Sequence, residues 1–265
     1  MITVTADNND SHILKSTIFP DGTSQVWKLP DAILRCSSVS IDWRFESERE
    51  IIDLLSLNKL LKNQLRTLHV PYLPYARQDK DVANNTTFNL EVFADLINSM
   101  GLTRVTSVDA HNPRKTEELI GHFRNIEARG FQEEVINLSK PDFLVFPDAG
   151  AYNRYELGEL KLPIVICDKD RDQLTGNIVG HKIVHIDTLV STKLNRFLIV
   201  DDLCDGGATF ISVAKLIREC LSCEGIDLCV THGVFSRGRE HLLTNGINRL
   251  YTTNSLIKNE DGYHV

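Results

Sequence analysis

Short apolar runs alternate with longer amphipathic stretches along most of the chain. The runs have the length and composition of buried strands, and they lie at 68–73, 104–109, 143–147, 163–167, 182–187, 196–201 and 228–235. Apolar residues recur at helical spacing in the stretches 47–64, 88–100 and 209–221. Because buried strands that alternate with helices form parallel sheets, the pattern predicts an α/β fold with mainly parallel sheets flanked by helices.

The stretch from 110 to 140 interrupts this alternation. It contains no convincing strand, and its polar centre is followed by Gly130. A chain of 265 residues has room for two domains of roughly 100 to 200 residues each. We therefore predict two α/β domains, at residues 1–132 and 133–265.

Composition and charge exclude several kinds of partner. The formal net charge is −7, so the chain lacks the positive field that supports non-specific nucleic-acid binding. No apolar run approaches the roughly 18 residues of a membrane span, and the first twenty residues lack the basic start and apolar block of a signal peptide. The six cysteines do not form a four-ligand zinc pattern. We expect a cytoplasmic protein with reduced thiols that binds neither nucleic acid nor membrane.

The most specific motif follows the apolar run at 196–201. Asp201 and Asp202 come at its end, and the connection into the next helix is Asp205, Gly206, Gly207, Ala208 and Thr209. Amides at a helix N-terminus bind phosphate, and carboxylates accept hydrogen bonds from sugar hydroxyls or bind Mg²⁺. Either the acidic or the glycine pair alone is explained as well by a turn at a strand end. Together they predict a sugar-phosphate site.

This segment resembles the phosphoribosyl pyrophosphate motif that type I phosphoribosyltransferases share with ribose-phosphate pyrophosphokinases. The segment 70–80 resembles the ATP-binding segment of the pyrophosphokinases, which simple phosphoribosyltransferases lack. Within it Arg77 can bind phosphate bidentately or stack on a base, and Gln78 and Asp79 can contact adenine or ribose. Taken alone, Arg77 and Asp79 would be better explained as a surface ion pair.

Metal-binding elements of the same family are also matched. Asp109 and His111 resemble its Asp-x-His element, which implies that His111 helps to bind the Mg²⁺ of MgATP. Asp148 lies in a segment similar to the family's Pro-Asp-x-Gly element and would be a second magnesium contact. A lone histidine is more often a satisfied surface or core group, and Mg²⁺ prefers oxygen ligands, so the assignment of His111 depends on the neighbouring matches.

Two further matches concern assembly and catalysis. Phe19 and Asp21 lie in a segment that looks like the family's loop to the ATP site of a neighbouring subunit, which implies a homo-oligomer, a dimer or a multiple of dimers. Lys169 and Arg171 align with the start of the catalytic flexible loop, where the family has a lysine and an arginine two residues apart. On composition alone both would belong to a solvated charged loop.

The resemblance implies two phosphoribosyltransferase-like domains. The N-terminal one would carry the ATP-binding elements, and the C-terminal one the ribose-phosphate loop and the catalytic loop. The implied reaction transfers the β,γ-diphosphoryl group of MgATP to the 1-hydroxyl of ribose 5-phosphate, giving PRPP and AMP for nucleotide biosynthesis. Lys169 and Arg171 would stabilise the charge on the transferred group, and Mg²⁺ would be the cofactor.

The phosphate loop departs from the family pattern Asp-Thr-Gly-Gly-Thr. Gly206 lacks the hydroxyl at that position, and Ala208 adds a methyl group where the family has glycine. This leaves open an acceptor with a larger 5-substituent, such as ADP-ribose. A non-catalytic binding subunit is a further alternative. A plain phosphoribosyltransferase or a PRPP-binding transcriptional regulator is disfavoured by the segment 70–80 and by the absence of a basic DNA-binding segment.

Overall fold

The chain forms two compact units. A computed structural model describes residues 1–80, 86–155, 162–171, 178–187 and 194–256. The units are Met1–Glu127 and Ala128–Val265, whereas the sequence predicted a division near residue 132. Each unit has its own six-stranded sheet and its own buried apolar residues.

A mainly parallel sheet forms the first unit. The strands are β1 (Ile2–Ala6), β2 (Ser11–Ile13), β3 (Ser16–Ile18), β4 (Ser24–Val26), β5 (Ser38–Trp43), β6 (Leu65–His69), β7 (Arg104–Val108) and β8 (Phe123–Ile126). The helices are α1 (Asp31–Arg35), α2 (Arg49–Leu60), α3 (Asn89–Ser99) and α4 (Pro113–Leu119). The sheet order is β2-β1-β5-β6-β7-β8. Strands β5 to β8 are parallel, β1 is antiparallel to both of its neighbours, and β3 and β4 form a separate hairpin.

Burial explains the position of this sheet and of the hairpin. Ile41 and Trp43 of β5 are completely buried, as the two-residue period of a half-buried strand requires. Phe93 of α3 packs near Trp43, with ring centroids 6.2 Å apart. The Ser24 hydroxyl of β4 donates to the buried Asp53 carboxylate of α2 at 2.6 Å, which anchors the hairpin on that helix.

The second unit is also built on a mainly parallel sheet. Its strands are β9 (Phe143–Phe146), β10 (Ile164–Arg171), β11 (Ile178–Ile186), β12 (Asn195–Cys204), β13 (Cys223–Gly233) and β14 (Arg249–Thr252). Its helices are α5 (Arg129–Ser139), α6 (Ala149–Arg154), α7 (Ala208–Cys220) and α8 (Arg239–Leu243). The order is β11-β10-β9-β12-β13-β14. The edge strand β11 is antiparallel to β10, and the other neighbours are parallel.

The central strand β12 determines where polar groups collect in this unit. Leu198, Ile199 and Val200 are completely buried, as expected for a parallel strand covered on both faces. Strands β9 and β12 are parallel neighbours, so residues that follow their apolar parts meet at one edge of the sheet. Asp148 after β9 and Asp201 in β12 are therefore close, and ligands in α/β proteins bind at such an edge.

The predicted α/β class is confirmed, but the expectation that 110–140 contains no strand was wrong. Phe123–Ile126 forms β8, with α4 before it and α5 after it. β8 has four residues and lies at the sheet edge, and Phe123 is the buried residue among them, so its apolar signal is short. Within the described ranges, no helix is long and apolar enough to cross a membrane.

Candidate active site

The predicted phosphate loop connects β12 to α7. Gly207 is the residue before α7 and has a φ of 82°, a left-handed conformation that glycine adopts without a steric penalty. A Cβ atom on Gly207 would lie 2.5 Å from Cδ2 of the buried Leu242. Because the first amides of a helix lack intrahelical partners, the start of α7 near Ala208 and Thr209 presents the donors that a phosphate requires.

The two adjacent carboxylates of β12 have different surroundings. Asp202 is 6% exposed, and Oδ2 of its carboxylate lies 2.6 Å from Nη1 of Arg154. Asp201 instead accepts a hydrogen bond from the Asp202 amide at 2.8 Å. Burial and then repulsion by Asp202 raise the pKa of Asp201 well above its usual range, and Asp148 adds to this effect. A ligand hydroxyl or a cation would relieve the crowding of negative charge.

Lys169 and Asp148 form an ion pair in the same unit. Nζ of Lys169 lies 3.4 Å from Oδ2 of Asp148, and the other oxygen of that carboxylate accepts from the Ala151 amide at 2.9 Å and caps α6. Both side chains are about one-third exposed. The structure thus brings Lys169, Asp148 and Asp201 to one region of the second unit, and their roles in catalysis and binding stay predictions.

His181 is a neighbour of this group that the sequence analysis missed. It lies directly opposite Lys169 in the antiparallel pairing of β10 with β11. Its Nδ1 is 2.9 Å from the Ser212 hydroxyl of α7. Burial and then the charge of Lys169 lower the pKa of His181, against opposite effects of Asp148 and Asp168. A single histidine in a strand gives no sequence signal, because only the pairing register of the two strands shows that it faces Lys169.

Arg154 was also missed, and Arg171 is only partly described. Arg154 ends α6 and contacts Asp202 only through the tertiary fold, so no local motif marks it. The backbone of Arg171 ends β10, but its side chain lies outside the described part of the chain. Its predicted catalytic role stays a prediction.

In the first unit, the candidate ATP segment and the Asp-x-His element are adjacent. Arg77 is exposed, Oε1 of Gln78 accepts from Asn89 at 2.6 Å, and Asp79 accepts from the Asn112 side chain at 2.8 Å. The last bond joins two segments that lie far apart in the sequence. Asn112 also caps α4 through the Lys115 amide at 3.1 Å.

The Asp-x-His element itself follows β7. Asp109 is buried with a φ of 44°, a conformation that is unusual for a side-chain-bearing residue. Two residues later, His111 is half-buried and immediately precedes Asn112. The strained turn therefore orients the segment that contacts Asp79, which agrees with a ligand-binding role.

The hairpin loop places Phe19 and Asp21 at the surface. Phe19 is 39% exposed, and Asp21 accepts hydrogen bonds from the Thr23 hydroxyl at 2.8 Å and from its amide at 3.0 Å. Both bonds lower the pKa of Asp21, and the bond from the hydroxyl has the larger effect. Asp21 thus stabilises its own turn, and Phe19 is presented to solvent in the single chain.

Within the described ranges, no three His, Cys, Asp or Glu side chains converge as a metal-binding group. Asp148 and Asp201 nevertheless supply oxygen ligands of the kind that Mg²⁺ prefers, and their mutual repulsion favours a cation. The residues of this region therefore fit a magnesium ion that also has oxygen ligands from a phosphate.

Comparisons with known proteins extend over most of the chain. No family model matches. The chain is 22% identical to ribose-phosphate pyrophosphokinase from Saccharolobus solfataricus, over 93% of this chain and 86% of the relative. It is 28% identical to the enzyme of the same name from Bacillus subtilis, over 91% of this chain and 76% of the relative. It is 26% identical to ribose-phosphate pyrophosphokinase from Methanobrevibacter smithii, over 94% of this chain and 87% of the relative.

A solved structure shows the same fold. Phosphoribosylpyrophosphate synthetase from Mycobacterium smegmatis matches with a TM-score of 0.78 and 22% identity, over 94% of this chain and 82% of that one. The match covers both α/β units. The chain thus has the fold of that synthetase, and over most of its length it is similar in sequence to ribose-phosphate pyrophosphokinases, which are diphosphotransferase enzymes.

Proposed function

We propose that the protein transfers the β,γ-diphosphoryl group of MgATP to the anomeric hydroxyl of ribose 5-phosphate, giving PRPP and AMP. The observation that carries the proposal is the arrangement in the second unit. The second unit contains the start of α7 after Gly207, two carboxylates in β12 and the Lys169–Asp148 ion pair. This combination suits a sugar phosphate that accepts an anionic group.

The acceptor would be held at both ends. Amides of the connection from Asp205 to Thr209 would bind the 5-phosphate, and Asp201 and Asp202 would accept hydrogen bonds from the ribose hydroxyls. The ion pair between Arg154 and Asp202 fixes the second carboxylate. The anomeric hydroxyl is thereby oriented for attack, and such alignment supplies a large part of the rate in this type of reaction.

ATP would use residues of the first unit. Arg77 would bind phosphate or stack on the base, and Gln78 and Asp79 would contact the nucleoside. His111 would contribute a ligand to the Mg²⁺ of MgATP, and Asp148 would be a magnesium contact in the second unit. A bound Mg²⁺ would neutralise charge on the phosphates. Phe19 and Asp21 would complete the ATP site of a neighbouring copy in a homo-oligomer.

In the chemical step, the oxygen of the acceptor 1-hydroxyl forms a bond to the β-phosphorus. The bond from that phosphorus to the oxygen shared with the α-phosphate breaks, AMP leaves, and the hydroxyl proton passes to solvent. Lys169 would stabilise the charge that develops on the transferred group. Arg171 would act with it from the end of β10.

A second candidate acceptor is ADP-ribose. The observation that favours it is that Gly206 contributes no side chain to the phosphate loop, and that Arg237 and Ser236 border this position instead. The loop therefore has no side-chain hydroxyl here for a free 5-phosphate, which leaves the larger acceptor as an alternative.

The test is product analysis with purified full-length protein, MgATP and one acceptor at a time. AMP and a product with the mass of PRPP from ribose 5-phosphate would support the main proposal. Release of AMP with ADP-ribose but not with ribose 5-phosphate would show that the same reaction uses the larger acceptor. Absence of AMP with both acceptors, in protein that binds ATP, would contradict the enzymatic proposal and favour a non-catalytic binding subunit.

A further inference from the structure

The turn after β13 contacts the phosphate loop from the side. A Cβ atom on Gly206 would lie 3.5 Å from Nε of Arg237 and 3.6 Å from the hydroxyl of Ser236. A guanidinium and a hydroxyl therefore border the position where the loop has no side chain. Both groups are hydrogen-bond donors that bind phosphate oxygens.

This turn is held in place by the end of β12. The amides of Val234 and Phe235 donate to the Cys204 carbonyl at 2.9 and 3.2 Å, and the Gly238 amide donates to the Phe235 carbonyl at 2.8 Å. A Cβ atom on Gly233 would lie 2.2 Å from the Phe235 ring, so the ring packs directly on bare backbone. The turn is thus positioned by contacts that do not involve Arg237.

The distribution of charge around the phosphate loop also favours anion binding at Arg237. Asp201, Asp202 and Asp205 place negative charge around the loop, whereas the nearby cations Arg154 and Lys169 form ion pairs with Asp202 and Asp148. Arg237 is exposed. Within the described residues, its side chain makes no hydrogen bond or ion pair. A phosphate at the loop would bind more tightly with one unpaired guanidinium beside it.

We propose that Arg237, with Ser236 beside it, binds the acceptor's phosphate and so determines affinity for 5-phosphorylated ribose compounds. This inference rests on the proposed function for the identity of the acceptor. The loop amides bind one side of the phosphate, and Arg237 binds an oxygen on the side that Gly206 leaves uncovered. The same contact serves a phosphomonoester and the first phosphate of a diphosphate-linked ribose.

The experiment measures acceptor binding by calorimetry without ATP, and steady-state AMP release with MgATP. Arg237→Gln should weaken ribose 5-phosphate and ADP-ribose binding and raise the acceptor KM by roughly ten-fold or more, the effect of one charge-assisted hydrogen bond. The KM for ATP and kcat should each stay within about two-fold, because the contact is the same in the bound acceptor and in the transition state. Ser236→Ala should have a smaller effect in the same direction.

The matched control is Lys215→Gln, which removes one positive charge from the exposed face of α7. It should leave acceptor binding unchanged. Equal acceptor affinity of Arg237→Gln and unaltered protein, with equal melting temperatures, would overturn the inference. Acceptor binding that depends on Arg237 in a protein that releases no AMP would uphold it and reject the proposed reaction.

Discussion

In the candidate site of the second unit, the carboxylates of Asp148, Asp201 and Asp202 lie near two cations, Lys169 and Arg154. Lys169 pairs with Asp148, while Asp202 is paired with Arg154. Asp201 accepts a hydrogen bond from the Asp202 amide, and burial is the largest cause of its raised pKa. A site of this kind is destabilised by its own charges until a ligand binds, which is common where residues are placed for chemistry.

Replacement of Lys169 should affect turnover more than ligand binding. We expect Lys169→Ala to lower kcat by at least about 100-fold, comparable with the loss of one preorganised transition-state donor. ATP affinity should be largely kept. Lys215→Ala is the control, because Lys215 is 75% exposed on α7. Near-normal AMP release by Lys169→Ala would remove Lys169 from the mechanism.

Replacement of Asp201 should stabilise the fold while it impairs function. The raised pKa means that the folded state keeps a proton at pH values where the unfolded carboxyl, with an ordinary pKa of 3.8, has lost it. Asp201 therefore costs stability as the pH rises through its folded pKa. Asp201→Asn should raise the free energy of unfolding at pH 7, and the gain should shrink as the pH is lowered towards the ordinary carboxyl pKa of 3.8.

Thermal or urea unfolding across this pH range is the measurement. Asp95→Asn, which removes a carboxylate at an exposed position on α3, is the matched control. A gain for Asp201→Asn that is equal at all pH values would show that the fold does not raise the pKa of Asp201. Activity should fall in Asp201→Asn even where the protein is more stable, since the acceptor hydroxyls lose a charged acceptor.

Residues that carry a local motif could be predicted from the sequence, and those that act through the fold could not. Asp201 and Asp148 stand after apolar runs, so their position at one sheet edge follows from strand direction. His181 faces Lys169 through an antiparallel register, and Arg154 reaches Asp202 from another element. Neither contact is encoded in neighbouring letters of the sequence.

At the scale of elements, the junction of β12 and α7 depends on one glycine. Gly207 combines a φ of 82° with a close approach to Leu242. The hairpin β3–β4 is joined to α2 by the Ser24–Asp53 hydrogen bond. Both are connections between elements, and both carry residues that we assign to ligand binding.

Gly207→Ala should therefore destabilise the second unit. The left-handed conformation alone costs a side-chain-bearing residue about 1 kcal/mol or more, and the contact with Leu242 at 2.5 Å requires a further shift. The measurement is urea unfolding, and the acceptor KM should rise as well because the loop is displaced.

Gly130→Ala is the matched control for this change. Gly130 lies in α5, and an added Cβ atom would meet no heavy atom within 4 Å. Alanine is favoured over glycine inside a helix by about 0.5 to 1 kcal/mol, so this variant should be equal to or more stable than the parent. A Gly207→Ala protein of unchanged stability would contradict the packing described for the loop.

Elements were predictable where the apolar signal is long. The runs that became β9 and β12 are nearly all buried, and α3 and α7 carry clear apolar stripes. The short edge strands β2 and β8 and the hairpin bury few residues, so their sequences resemble loops. Their formation depends on pairing with a neighbour, which a single stretch of sequence does not show.

At the scale of the whole molecule, each unit has its own core and carries one set of candidate ligand residues. The first unit has the segment from Arg77 to Asp79 and His111, and the second has the phosphate loop and Lys169. The hairpin of the first unit also exposes apolar side chains at and next to its strands. Ile18 is 53%, Phe19 39% and Trp27 47% exposed, which is an arrangement that a second copy could cover.

We expect the purified chain to form a dimer or a multiple of dimers. Phe19→Ser should shift the mass measured by light scattering towards the monomer and lower AMP release in parallel, because the loop would serve a neighbouring ATP site. Val92→Ser, at a 57% exposed apolar position on α3, should keep the mass of the parent. A monomeric parent protein with full activity would contradict the proposed role of Phe19 and Asp21.

The nucleotide product distinguishes transfer of a diphosphoryl group from transfer of a single phosphoryl group. The full-length protein is incubated with MgATP and ribose 5-phosphate or ADP-ribose, and nucleotides are separated by anion exchange. Our account predicts AMP in amounts equal to the diphosphorylated acceptor, with at least about 100-fold less from Lys169→Ala. Formation of ADP would show transfer of a single phosphoryl group, and absence of AMP with both acceptors would show that the chain does not perform the proposed reaction.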